Sequence, residues 1–192
     1  MIEALNSYSA SLAGCLAASD WTVLDRIGKV LLEAKRNDRT VYLFGNGGSS
    51  ATASHVTNDL LKGCRVNGQP GFKAFCLSDS STLLTCLAND FDYADVYAIL
   101  LRTYAKPGDI AIAFSGSGNS LNVVRGLTAA KELGLVTIGM GGRDGGKMKA
   151  FCDHMLIAPT QSMEMLEDLH LIYFHNLVCA MRAELGGGAC GC

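Results

Sequence analysis

Asp109-Ile-Ala-Ile-Ala-Phe114-Ser115-Gly-Ser-Gly-Asn-Ser120 is an apolar run that ends in a turn of small hydroxyl residues and glycines, and a helical stretch from Leu121 to Leu133 follows. A strand, a glycine turn and a helix in that order build an anion seat. Glycine lets the backbone come close to a phosphate, and the serine hydroxyls and unpaired helix N–H groups converge on it. The turn lacks the Gly-Lys-Ser/Thr ending of the nucleotide-triphosphate loop. Three serines without a lysine point to a sugar monophosphate held by neutral donors.

Upstream, Thr40-Val-Tyr-Leu-Phe44 reads as a second buried strand, and Gly45-Asn-Gly-Gly-Ser-Ser50 opens another helix. That loop does not fit the dinucleotide fingerprint GxGxxG. Two such units place two helix N-termini at the carboxyl edge of one sheet, where open α/β folds bind ligands. Strand candidates fall at 40–44, 72–77, 109–114, 135–140 and 154–157, rich in Val, Ile, Leu and Phe without polar alternation, as in strands buried on both faces. Helical spacing occupies 50–62, 81–104 and 119–133, and a last helix spans about 162 to 184. The alternation predicts a parallel α/β sheet with right-handed crossovers. Residues 1–36 read as two helices, the second capped by Ser19 or Asp20 with an apolar stripe of Leu24, Ile27, Val30 and Leu31. With no repeats or Pro-rich linkers, residues 1–192 form a single domain that ends in a flexible Gly/Cys tail, 186–192.

Charged residues make up 18% of the chain and apolar ones 49%. So few charges imply that apolar surface is covered by sister subunits. A net charge of −2 and the lack of a Lys/Arg-rich run argue against nucleic acid as a partner. No apolar stretch is long enough to span a membrane, and the N-terminus lacks the pattern of a signal peptide. A cytoplasmic protein with reduced cysteines is expected. The eight cysteines form no CxxC pair and read mostly as small core residues, while Cys190 and Cys192 sit in the tail.

The ordered set of N-terminal helices, GNGGS at 45–49, Asn89-Asp90, SGSGNS at 115–120 and a His-bearing last helix resembles the sugar isomerase (SIS) domain family, and within it the phosphoheptose isomerases. The likeness covers nearly the whole chain. It implies a five-stranded flavodoxin-like sheet flanked by helices, N-terminal helices for oligomerisation, and a homotetramer with shared active sites. It also implies isomerisation of sedoheptulose 7-phosphate to D-glycero-D-manno-heptose 7-phosphate. Carried over by position, Ser115, Gly116, Ser117 and Ser120 would grip the phosphate. Asn46, Gly47, Gly48, Ser49, Asn89 and Asp90 would line the substrate. His55 and His175 match two histidines that bind zinc in some members.

Two positions depart from the family pattern. Asp59 stands four residues after the first histidine, in place of the usual glutamate, and Glu167 stands eight before the last, in place of a glutamine. Aldose–ketose isomerisation needs a base beside the carbonyl and an acid that moves protons through an enediol. The resemblance assigns these roles to Asp59 and His175. The shorter Asp59 loses about one carbon–carbon bond of reach, and a misplacement near 1 Å can cost about a hundredfold in rate. His55, Asp59, Glu167 and His175 together make a ligand set for zinc or another divalent ion. Yet residues eight apart in a straight helix are separated by about 12 Å, so Glu167 would have to reach from the helix start or a bend. His170, amid apolar neighbours, reads as a core histidine, and His154 carries no functional signal. The alternative function is a non-catalytic SIS-domain tetramer that binds a sugar phosphate or another protein.

Overall fold

The computed structural model describes residues 1–188; the Cys190 and Cys192 part of the expected flexible tail lies outside them. Five parallel strands form one sheet in the order β2-β1-β3-β4-β5: β1 Thr40–Gly45, β2 Lys73–Cys76, β3 Ile110–Ser115, β4 Val136–Gly142 and β5 His154–Ala158. This is the flavodoxin-like order that the family resemblance implied. Seven α-helices accompany the sheet: α1 Ile2–Ala17, α2 Trp21–Arg36, α3 Gly48–Asn58, α4 Ser81–Asp90, α5 Val96–Tyr104, α6 Leu121–Glu132 and α7 Met163–Glu184. All five strand candidates are strands. The stretch 81–104 is not one helix, because Asp92 turns its carboxylate onto the Ala94 N–H at 2.8 Å and a short 3₁₀ turn, Tyr93–Asp95, separates α4 from α5.

Each face of the sheet carries its own core. On one side Val41, Leu43, Ile110, Ile112 and Phe114 pack with Leu24, Ile27 and Leu31 of α2 and Phe174 and Leu177 of α7. On the other, Tyr42, Phe44, Ala111 and Ala113 meet Tyr97 and Leu101 of α5 and Val123 and Leu127 of α6. Phe114, at the carboxyl end of β3, is fully buried against Phe174 and His170. Removing its ring would cost about 3–5 kcal/mol and loosen the floor beneath the loop that follows.

Asp20 caps α2, accepting from Thr22 N at 3.0 Å and Val23 N at 3.1 Å. The first helix differs in kind: α1 has no buried residue and exposes Ile2 and Leu5. Its last turns pack Leu12, Cys15 and Leu16 against the core, Tyr8 donates to Asp168, and the helix leads to Ser19, whose hydroxyl lies 2.6 Å from that of Tyr173. Cys15, Cys64, Cys76, Cys86 and Cys152 are free thiols.

Candidate functional site

The strand order reverses between β1 and β3, and the two glycine loops leave the sheet side by side at that switch point. The register pairs Gly45 with Phe114, so the two loops begin within one residue of the same height. Gly47, at φ +55° and ψ −126°, caps α3 in a conformation that a side chain would strain. In the second loop Ser115 Oγ accepts from Gly118 N at 3.1 Å and Ser117 Oγ from Asn119 N at 3.2 Å. Each hydroxyl therefore keeps its own proton to donate. Ser120 caps α6 without a side-chain hydrogen bond, which leaves its hydroxyl available as well. A glycine-rich turn after β4, missed in the sequence, closes over this loop. Met148 N donates to Gly118 O at 2.9 Å and Lys147 N to Asn119 Oδ1 at 3.1 Å. A Cβ on Gly118 would lie 2.0 Å from Gly145 O, so only glycine permits the approach.

The second cluster lies where α3 ends. His55 Nε2 is 3.1 Å from His175 Nε2, and Asp59 Oδ2 is 3.3 Å from the first and 3.4 Å from the second. The two imidazoles are about half exposed and the carboxylate less so. A tetrahedral ion with bonds of about 2.0–2.1 Å needs ligand atoms about 3.3 Å apart, so this triangle fits three corners of a zinc site. Asp59 begins a five-residue π-helical turn, Asp59–Gly63, that continues α3. Such turns are frequent at functional sites. Despite its shorter side chain, Asp59 reaches both histidines.

Glu167 does not join them. Its carboxylate lies over Gly48 at the start of α3, where a Cβ would come within 2.3 Å of Oε1. The reason is the pairing of α3 with α7. Glu167 meets Gly48 and, eight residues on, His175 meets His55 and Asp59, so the helices run in parallel at matched rise. Glu167 is thus held roughly 10–12 Å along the helix pair from the cluster. Of the four residues expected as ligands, three, His55, Asp59 and His175, are drawn together, and the helix N-terminus supplies favourable surroundings for the Glu167 charge. Asn89 and Asp90 end α4, a helix with no buried residue, and Asn89 Nδ2 donates to Asp90 Oδ1 at 2.8 Å. The chain alone does not bring them to the loops. Ser49 is buried at the start of α3, and Gly116 is roofed by Met163 of α7.

His170 is buried, with Nε2 3.1 Å from Gly141 O and no partner for Nδ1 among the described residues. Burial pushes its pKa down to about 4, so it is neutral and is a core residue, as its neighbours in the sequence suggested. Burial also lifts the Cys64 thiol to about 11 and those of Cys76 and Cys152 to about 12, which removes them as nucleophiles at neutral pH.

Residues 6–142 match the SIS domain family. The chain belongs to that family. It is 35% identical over 162 residues to the phosphoheptose isomerase of Aliarcobacter butzleri, covering 84% of this chain and 85% of the relative. With the phosphoheptose isomerase of Chlorobaculum parvum it shares 34% identity over 181 residues, 93% of this chain and 87% of that one. In three dimensions it matches the phosphoheptose isomerase of Neisseria gonorrhoeae with a TM-score of 0.86 at 25% identity, covering 94% of this chain and 98% of the other. The two glycine loops thus stand at the carboxyl edge of the sheet, and the His/Asp/His cluster lies a helix length away, at the far end of α3. Among the described residues no helix is long and apolar enough to cross a membrane.

Proposed function

We propose that this protein is an intramolecular oxidoreductase that converts sedoheptulose 7-phosphate to D-glycero-D-manno-heptose 7-phosphate through an enediol. The observation that carries the reading is the Asp59 carboxylate, held 3.3 and 3.4 Å from two imidazoles at the end of the helix that the first glycine loop opens. In this reading Ser115, Gly116, Ser117 and Ser120 receive the phosphate, and Asn46, Gly47, Gly48, Ser49 and Glu167 line the sugar. Glu167, unpaired over Gly48, would accept hydrogen bonds from sugar hydroxyls rather than ligate an ion. Asp59 takes a proton from C1 while the C2 carbonyl oxygen gains one, giving the 1,2-enediol; Asp59 then returns its proton to C2 as the C1 hydroxyl loses its own, leaving an aldehyde at C1 and a hydroxyl at C2. Asp59 Oδ2 faces the histidines, so Oδ1, with only a 3.4 Å contact from Asn58, is the oxygen open to substrate.

His55, Asp59 and His175 would hold a divalent ion, which we infer to be zinc. When bound, zinc would supply Lewis-acid polarisation of the substrate carbonyl and hydroxyl. His175 Nε2 cannot hold an ion and carry a proton together, so its acid–base role belongs to the metal-free site.

Exposed Ile2 and Leu5 on α1, Leu83 on α4, and Phe91 and Leu121 beside the loops support a homotetramer whose neighbours complete the site, with Asn89 and Asp90 presented across the interface. A cytoplasmic setting fits the free thiols. Incubation with sedoheptulose 7-phosphate in deuterated water, read by NMR for aldose formation and for deuterium at C1, tests the function. Absence of both products and exchange would leave only the non-catalytic binding protein, which the cluster does not favour.

A further inference from the structure

Asn46 and Asn122 form a reciprocal amide pair. Asn46 Nδ2 donates to Asn122 Oδ1 at 2.9 Å, and Asn122 Nδ2 donates to Asn46 Oδ1 at 2.9 Å. Asn46 belongs to the loop after β1, whereas Asn122 lies in the first turn of α6 and is 2% exposed. The orientation of the pair is determined by the Val123 N–H, which can only donate and does so to Asn122 Oδ1 at 2.9 Å. With that oxygen fixed, Asn122 must offer its NH₂ to Asn46, and Asn46 must turn its own oxygen toward Asn122.

The tyrosines of the α4–α5 region reinforce this setting. Tyr93 OH donates to Asn46 Oδ1 at 3.0 Å, and Tyr97 OH, 3.1 Å from the same oxygen, shares its proton with Gly45 O. Burial pushes the Tyr97 pKa up to about 12, so this hydroxyl keeps its proton at neutral pH. Ser78 and Tyr97 hold the loop at Gly45, and the Asn46 side chain is set jointly by Tyr93, Tyr97 and, from the helix that follows the second loop, Asn122.

We propose that Asn122 is a positioning residue that holds the sugar-lining loop at a fixed setting relative to the phosphate loop. The inference rests on the functional reading given above. Its energetic content is the net worth of one or two part-buried hydrogen bonds, equivalent to about a tenfold change in affinity for a ligand that must engage both loops. A ligand that engages only α6 should not notice the loss.

The test compares binding of inorganic phosphate and of sedoheptulose 7-phosphate to wild type, Asn122→Ala and Asn122→Asp by calorimetry. Affinity for the sugar phosphate is expected to fall about tenfold in both variants, with inorganic phosphate changed less than twofold. Equal losses for the two ligands would overturn the proposal, because a residue that merely supports the α6 N-terminus weakens both.

Asn122→Asp adds a second readout. At pH 8 its carboxylate sets an oxygen against Asn46 Oδ1, whereas protonation restores a donor. Its deficit relative to wild type at each pH should therefore shrink as pH falls toward 5, while that of Asn122→Ala stays constant. A deficit independent of pH in both would also count against the clasp. Amide hydrogen exchange at Gly47 and Gly48 reads the loop without a ligand and should quicken in both variants. If wild type binds phosphate but not the ketose phosphate, the functional reading fails, and exchange alone decides the clasp: unchanged exchange refutes it.

Discussion

Replacing His170 with phenylalanine should change the pH dependence of stability more than stability itself. In the folded protein burial lowers the His170 pKa from its ordinary 6.5 to about 4. Between those values the unfolded chain binds the proton and the folded one does not, so stability falls as pH falls. At roughly 1.4 kcal/mol per pH unit, the gap corresponds to about 3 kcal/mol, fully present above pH 6.5 and lost by pH 4. Phenylalanine keeps the ring that stands edge-on to Phe114 and forfeits the bond to Gly141 O, at a cost of about 1 kcal/mol. The variant also removes the orphaned Nδ1. The two proteins should therefore lie within about 1 kcal/mol of each other at pH 7.5. Near pH 4.5 the variant should be the more stable by about 2 kcal/mol. Asp153, whose pKa is lowered by hydrogen bonds from Lys131 and Thr137 that outweigh its desolvation, contributes below that range and equally in both. Urea unfolding at half-unit pH steps, with chelator present so that metal release does not enter, measures the difference. Parallel curves for wild type and variant would refute the argument, because they would mean that His170 titrates as it does in water.

Ser117→Ala combined with Ser120→Ala should weaken binding of a sugar phosphate by tenfold or more while free sugar is little affected, since each hydroxyl contributes a hydrogen bond to the charged end only; equal losses would place the phosphate elsewhere. In elemental analysis of protein purified without chelator, His55→Ala should lose bound zinc and Glu167→Gln should keep it, and loss in both would restore the four-residue set. Asp59→Asn should abolish solvent exchange of the substrate's C1 proton with sugar-phosphate binding intact, and undiminished exchange would remove Asp59 from the mechanism. Light scattering should give a tetramer, and removal of residues 1–18 should lower the mass; a stable full-length monomer near 20 kDa would end the shared-site reading.

The strands and both glycine loops were legible because apolar runs followed by Gly and Ser leave few alternatives for the backbone. His55 and Asp59 could be paired from spacing alone, as neighbours one helical turn apart. Glu167 could not be placed that way, because its position depends on how α7 lies against α3, which no local pattern encodes. The bound on its reach was nevertheless readable from helix rise, and the structure enforces it. Asn122 was missed although it carried a signal: an amide between apolar Leu121 and Val123, directly after a phosphate-type loop, is a polar group that burial obliges to find partners. The turn at 143–146 over the second loop carried only its glycines as a warning.

The packing of Glu167 onto Gly48 links two positions that are far apart in the chain. A methyl group at 48 would occupy the space of the carboxylate, yet what it meets is the far end of a flexible side chain, so displacement rather than unfolding is the expected response. Substitutions at the two positions should accordingly trade volume: a larger residue at 48 is tolerated best beside a shorter one at 167. Gly48→Ala in this chain would push the charge outward from the start of α3. That makes position 48 a remote adjuster for a carboxylate it never bonds, and a starting point for laboratory evolution of sugar preference that leaves Asp59 and the histidines untouched.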